Sequence, residues 1–199
     1  MNKKDLIKQL KEFNFPEKIM KAFEKVPREL FVPEDLKDLA YEDQPLPIGE
    51  SQTISQPYTI AFMLSLLNVK DNQDILELGS GSGYVLGLLS EMNPNGNITG
   101  IERFKKLVDI SRKNLRSYKN VEVVEGNAFE NLKKEKYHRI LASASFNEIP
   151  QEIINQNLRV GGRMVFPIKD NLVVVEKTPS ENKINYYHGF KFVPMVGGK

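Results

Sequence analysis

The chain has 199 residues, 40% of them hydrophobic, and its 28 Lys and Arg against 26 Asp and Glu leave a net charge of +2, a balance that suits one domain with a sizeable core and gives no support to nucleic-acid binding. It has no cysteine and only two histidines, His138 and His188, far apart, which excludes disulfides, thiolate metal sites and a cysteine nucleophile and leaves no metal site to expect. No apolar run approaches the roughly 18–20 residues that span a bilayer, and the start "MNKKDLIKQLKEF" lacks the apolar block of a secretory signal, so the expectation is a soluble cytoplasmic protein with no membrane and no nucleic-acid partner.

Residues 1–40 are predicted helical: Leu6, Ile7, Leu10 and Phe13 share one face, as do Ile19, Met20, Phe23 and Val26. Pro16 suits a first helical turn and Pro27 ends the pattern. Residues 41–56 read as a Pro/Gly-punctuated connection holding a short polar–apolar alternation, Gln52-Thr53-Ile54-Ser55-Gln56. Helical spacing resumes over 57–68 through Ile60, Met63, Leu64 and Leu67. From residue 73 strands and helices alternate: "DILELG", then "GYVLGLLSEM"; "NITGIE", then "FKKLVDISRKNL"; "VEVVEG"; "HRILASA", then "IPQEIINQNL"; "RMVFPI". "NLVVVEKT" and "NYYHGFKFVPM" close the chain as two antiparallel strands. This order implies βαβ units around a mainly parallel sheet.

The turn "LELGSGSGYV" joins the first of these strands to its helix. Gly79, Gly81 and Gly83 allow a sharp turn and close approach of a ligand, and the helix start behind them favours polar or anionic groups. The dinucleotide pattern fails because Tyr84 and Leu86 stand where a third glycine belongs, and no Gly-Lys-Ser/Thr follows for a phosphate loop. The spacing E-x-G-x-G-x-G, starting at Glu77, resembles motif I of the class I S-adenosylmethionine methyltransferases. Glu102 ends the second strand and can accept from both hydroxyls of a ribose. "EGNAF" ends the third, where Asn127 can meet a base edge and Phe104 and Phe129 can flank its ring or serve as core.

The acceptor is narrowed by what is missing. Attack on pyrimidine C5 uses a cysteine, and methylation of exocyclic amines commonly uses Asn/Asp-Pro-Pro-aromatic, where this chain has "LASASFNEIP". An oxygen or carboxylate acceptor remains. A carboxylate is already ionised at neutral pH and needs alignment with the sulfonium methyl more than a general base.

"VPRELFVPEDLKDLAYEDQPLPIGESQTISQP" resembles the N-terminal signature of the protein-L-isoaspartate (D-aspartate) O-methyltransferases. The resemblance continues through "LELGSGSGY", "GIE", "VEVVEGN", "IP", "NLRVGGRMVFPI" and "FKFVPMVGG", in order and over nearly the whole chain. It implies a class I methyltransferase fold: α/β, a Rossmann-like, doubly wound, mainly parallel seven-stranded sheet with an N-terminal helical extension. It divides the chain into residues 1–56, a helical region and active-site loop, and residues 57–199, the methyltransferase unit. It implies S-adenosylmethionine as cofactor and isoaspartyl-containing peptides and proteins as partners, with D-aspartyl residues a further acceptor, and the enzyme a monomer. Methylating the misplaced α-carboxylate lets the succinimide re-form and normal aspartate return. By motif, Ser55 is the active-site residue, its hydroxyl orienting the acceptor carboxylate. Gln52, Thr53 and Ile54 line the same loop over the cofactor. Glu77, Gly79, Ser80, Gly81, Gly83, Glu102, Arg103, Asn127 and Ala128 take the cofactor-binding positions.

Three departures stand out. Ser51 replaces the usual glycine, Gly126-Asn127-Ala128 replaces Gly-Asp-Gly, and "LASASF" replaces a Thr-Ala-Ala run on the substrate side. They keep open a related O-methyltransferase with another acceptor, and a non-catalytic cofactor-binding relative.

Overall fold

The computed structural model describes residues 1–129, 132 and 136–195. Two helices open the chain, α1 (Lys3–Lys11) and α2 (Glu17–Lys25). Asn2 caps the first, its side chain accepting from the Lys4 and Asp5 amides while Asp5 accepts from the Asn2 amide. The predicted helix over 1–40 is shorter than its periodicity. After Val26 the chain makes only two 3-10 turns, Arg28–Leu30 and Glu34–Leu39, each opening behind a proline, Pro27 or Pro33, that lacks an amide donor.

Residues 41–56 are more ordered than a connection. Strands β1 (Leu46–Gly49) and β2 (Gln52–Ile54) form an antiparallel hairpin pairing Leu46 with Ile54 and Gly49 with Gln52. Its apolar side chains Leu46, Ile48 and Ile54 are buried, whereas Pro47, Gly49 and Thr53 face outward. Glu50 and Ser51 make the turn with φ of +51° and +56°, the left-handed pair that a tight hairpin requires.

Helix α3 (Pro57–Leu67) leads into the sheet. There follow β3 (Asp74–Leu78), α4 (Tyr84–Met92), β4 (Asn97–Glu102), α5 (Lys105–Asn114), β5 (Val121–Glu125), β6 (Tyr137–Ala142), α6 (Gln151–Asn157), β7 (Leu158–Ile168), β8 (Asn171–Glu176) and β9 (Lys183–His188). The seven strands run in the order β5-β4-β3-β6-β7-β8-β9. The first five in that order are parallel, and β8 and β9 return as an antiparallel meander. Strands such as Ile75-Leu76 and Val173-Val174 bury both faces, so they read as continuous apolar runs. Ile75, Ile98 and Leu141 face a layer supplied by α1 to α5, and Leu76, Ile140 and Phe166 face the α6 side. The N-terminal helices thus share one core with the sheet.

The end of the chain differs from the predicted strand. β9 stops at His188 because Gly189 takes φ +94°. The segment beyond it crosses back instead, where Ser145 N–H donates to Val193 O (2.8 Å) and Met195 N–H to Ser145 O (2.7 Å). Residues 196–198 of the "FKFVPMVGG" motif lie outside the described residues. Among the described residues no helix is long and apolar enough to cross a membrane.

Candidate active site

Strand order reverses direction at β3, with β4 and β5 on one side and β6 and β7 on the other. In an open α/β sheet the crevice beyond the carboxyl ends of the strands at such a point receives ligands. Here that crevice is a cleft lined by the glycine loop, the ends of β3 to β6 and the hairpin.

The glycine loop forms its floor. Gly79 and Ser80 both donate their amides to Ile101 O, at 2.9 and 3.2 Å, which ties the loop to β4. Gly81 takes φ +52°, and a Cβ there would come within 2.9 Å of Ile48 Cδ1 in the hairpin. Glycine there lets hairpin and loop close on each other without strain at this positive φ and without displacing the Ile48 side chain.

Glu102, at the end of β4, is buried. Its Oε2 accepts from Gly81 N–H and its Oε1 from Phe104 N–H, both at 2.9 Å. Each oxygen keeps acceptor capacity for a further donor, which suits the two hydroxyls of a ribose. Glu77, at the end of β3, is the more unusual group. It is 1% exposed, Ser143 donates to its Oε1 at 2.6 Å, and its Oε2 has no partner among the described residues. Burial pushes its carboxyl up to about 8, opposed by the Ser143 hydrogen bond and reinforced by Glu102. Glu77 is also among the residues that line the cleft, and a carboxyl group there suits a cationic ligand group. Ser80 also lines the cleft, and among the described residues its buried hydroxyl has no partner. The donor set fits S-adenosylmethionine: Glu77 for its ammonium, Glu102 for its ribose, glycine-loop backbone between them.

The hairpin closes the cleft from above. Gln52, Thr53, Ile54 and Ser55 all line it. Ser55 is half-buried, and among the described residues its hydroxyl has no hydrogen-bond partner. Arg103, Asn127 and Ala128 line the far side with Phe104. Asn127 Oδ1 accepts from Phe129 N–H (3.0 Å), so part of its acceptor capacity holds its own turn. Phe129 turns away and packs edge-on against Phe146 at 5.7 Å.

The cleft thus brings together the residues anticipated from the motifs except Gly83 and Phe129. That glycine, with φ +90°, lies behind the loop, where a Cβ would fall 2.4 Å from Ser111 Oγ and 2.7 Å from Leu115 Cδ1. It lets α5 pack against the start of α4. The motifs did not single out Ser143, or Val193, Pro194 and Met195, which line the cleft too. The "LASASF" departure marked the first neighbourhood. The second lay within the "FKFVPMVGG" stretch of the resemblance, but nothing in it indicated a place at the cleft, which it reaches by crossing back to Ser145.

All 199 residues match the family described as protein-L-isoaspartate(D-aspartate) O-methyltransferase. The chain belongs to that family. A protein-L-isoaspartate O-methyltransferase of Methanothrix thermoacetophila is 39% identical over 204 residues, covering 99% of this chain and 96% of its own. One from Petrotoga mobilis is 41% identical over 190 residues, 91% of this chain and 88% of its own. A solved protein-L-isoaspartate O-methyltransferase superposes with a TM-score of 0.90 at 25% identity, over 99% of this chain and 66% of that longer one. A Plasmodium falciparum structure described as the same enzyme, in complex with S-adenosyl-L-homocysteine, gives 0.86 at 25% identity over 98% of both. Membership agrees with the expected class I methyltransferase fold of protein-L-isoaspartate O-methyltransferases.

Proposed function

We propose that this protein transfers a methyl group from S-adenosylmethionine to the free α-carboxylate of isoaspartyl residues, and of D-aspartyl residues as a further acceptor, in damaged proteins. The observation that carries this is one of placement. The Gln52–Ser55 segment, the part of the chain that separates this family from other methyltransferases, forms the roof of the cleft whose floor is the glycine loop. The cofactor supplies a methyl group activated by a positively charged sulfur. The acceptor carboxylate oxygen forms the new O–C bond as the C–S bond breaks, and no proton need move. The protein's task is alignment. Ser55 Oγ–H donates to the acceptor carboxylate and aims its other oxygen at the methyl. Gln52, Thr53 and Ile54 hold the roof. Glu77 and Glu102 fix the two ends of the cofactor, and Arg103, Asn127 and Ala128 border its base.

The "LASASF" departure supports the same acceptor. Ser143 is committed to Glu77, and the single Ser145 hydroxyl proton lies within reach of the backbone carbonyls of Phe146 (3.3 Å) and Pro167 (3.5 Å), so neither brings new chemistry to the acceptor. Residues 1–56 act as the cover of the site and residues 57–199 as the unit that binds cofactor. The enzyme works as a monomer in the cytoplasm, a state that light scattering across a concentration series checks.

The deciding experiment offers tritium-labelled S-adenosylmethionine with an isoaspartyl peptide and its normal aspartyl twin. Label is expected in the first alone. Absence of transfer at saturating cofactor overturns the reading.

A further inference from the structure

Arg28 opens the 3-10 turn Arg28–Leu30 and is fully buried. It belongs to the "VPRELFVP" stretch, yet the function proposed above gives it no part. Burial is costly for a guanidinium, and an apolar side chain of similar volume would hold the core as well or better. Burial pushes the group down to about 10, opposed by Tyr84, Asp43 and Tyr41, so it keeps its charge at neutral pH. Its worth lies in what a charged, planar fork can hold and a methionine cannot.

Two groups meet that fork. The Arg28 Cζ lies 5.2 Å from the centroid of the Tyr84 ring, within range of a cation–π contact, and its Nη2 donates to Gln44 O at 3.5 Å. Tyr84 is the first residue of α4, directly behind the glycine loop, and lines the cleft. Phe31 and Phe23 pack edge-on against the same ring at 5.4 and 6.1 Å, which fixes it in place. Gln44 stands two residues before β1, where the chain rises into the hairpin.

The other end of the roof is fastened one residue away. Helix α3 starts at Pro57, which has no amide proton, and Gln56 gives it no side-chain cap. The first amide proton of the helix, on Tyr58 N, goes to Asp43 Oδ1 at 2.8 Å. The chain thus enters the roof at Gln44 and leaves it at Pro57, with both ends tied at the neighbouring residues Asp43 and Gln44. The stretch between, which holds β1, β2 and Ser55, is one loop pinched at its base, and Arg28 binds that base. A shift of the pinch moves the Ser55 hydroxyl relative to a methyl group held from the glycine loop, and a misplacement of about 1 Å is costly where the reaction depends on alignment.

From this geometry we propose that Arg28 is a positioning residue for methyl transfer, its guanidinium holding the base of the roof, and with it Ser55, against Tyr84 at the start of α4. The effect on transfer rests on the function proposed above; the hold on the roof does not.

The test compares the parent with Arg28→Met, which fills the space without a fork, and Arg28→Lys, which keeps the charge without the planar donors. Hydrogen exchange read by mass spectrometry comes first. Amides of residues 46–54 are expected to exchange about tenfold faster in Arg28→Met than in the parent, with β3 and β4 unchanged and Arg28→Lys in between. Unchanged exchange in the hairpin overturns the proposal, and so does equal loosening of β3 and β4, which would make Arg28 a plain core residue. Arg28→Lys decides in the same way should Arg28→Met not fold. Kinetics follow with an isoaspartyl peptide. Arg28→Met is expected to lower kcat about tenfold in the parent but less than about twofold in a Ser55→Ala background, because a residue that works through Ser55 then has nothing left to place. Equal falls in both backgrounds overturn the positioning role. No transfer by the parent itself overturns the function reading and the kinetic half with it, while the exchange data still decide whether Arg28 holds the roof.

Discussion

Replacing Ser51 by glycine should make the protein more stable without touching its chemistry. Ser51 is exposed and holds φ +56°. A left-handed backbone costs an L-residue about 1–2 kcal/mol, whereas glycine adds about 0.5–1 kcal/mol through its larger backbone freedom in the unfolded chain. The balance favours glycine by about 0.5–1 kcal/mol, and for a chain of this size that raises Tm by about 1–4 °C. The reciprocal change isolates the cause. Gly49, in the same hairpin, has φ +97° and open space where a Cβ would go, so Gly49→Ala loses stability through conformation alone, by the same net of about 0.5–1 kcal/mol. Thermal unfolding of both variants beside the parent is the assay, with S-adenosylhomocysteine affinity as a check that the roof stays closed. A lower Tm for Ser51→Gly, or an unchanged Tm for Gly49→Ala, refutes the account of the turn.

Ser55→Ala should lower kcat by about 10–100-fold, the worth of a hydrogen bond to a charged group, with the calorimetric affinity for S-adenosylhomocysteine unchanged; equal losses in both would make Ser55 part of the cofactor site. Glu77 is held protonated to about 8 by burial, while the unfolded carboxyl titrates near its ordinary value, so the folded state binds more protons between those points. Stability must therefore fall as pH rises from about 4.5 to about 8, and cofactor affinity must rise over the upper part of that range as the carboxylate forms, until the ligand's own α-amino group deprotonates. Glu77→Gln should flatten both dependences; a parent and variant with the same profiles would remove Glu77 from the ammonium site. Lys177 Nζ donates to Ile154 O, Asn155 O and Leu158 O at 2.7, 2.8 and 2.8 Å, closing the end of α6, so Lys177→Met should cost about 1–3 kcal/mol in urea unfolding, and a neutral result would show those carbonyls content with water.

What could be read in the sequence follows from how local the cause was. The parallel sheet was legible because "DILEL", "NITGIE" and "VEVVE" are short apolar runs between helical patterns, and the order of those patterns leaves few ways to connect them. The glycine loop and Glu102 were legible because strand-end positions converge at the point where the sheet reverses. The hairpin was not, since Glu50-Ser51 carries neither residue that normally announces such a turn; packing of Ile48 on the glycine loop holds it instead. Gly83 shared its neighbours' spacing, yet its role is set by Ser111 and Leu115, almost thirty residues further on. Val193 to Met195 reach the cleft through pairing with Ser145, a contact across nearly fifty residues that no local pattern encodes.

The makeup of the cleft wall follows from the charges of the reaction. The donor sulfur begins positive and the acceptor oxygen negative, and both charges vanish as the methyl moves. A reaction that annihilates charge runs faster where the surroundings do not solvate the separated ions, so a dry wall favours it. Ile48, Ile54, Ile60, Met63, Val193 and Met195 supply that wall. In the proposed site the carboxyl groups sit at the periphery of the chemistry, Glu102 toward the ribose and Glu77 toward the ammonium, and burial holds Glu77 neutral to about 8. A histidine base beside the acceptor would add a second titrating charge to a step that needs none. The plain hydroxyl of Ser55 can orient the carboxylate while leaving its charge to be quenched by the sulfonium.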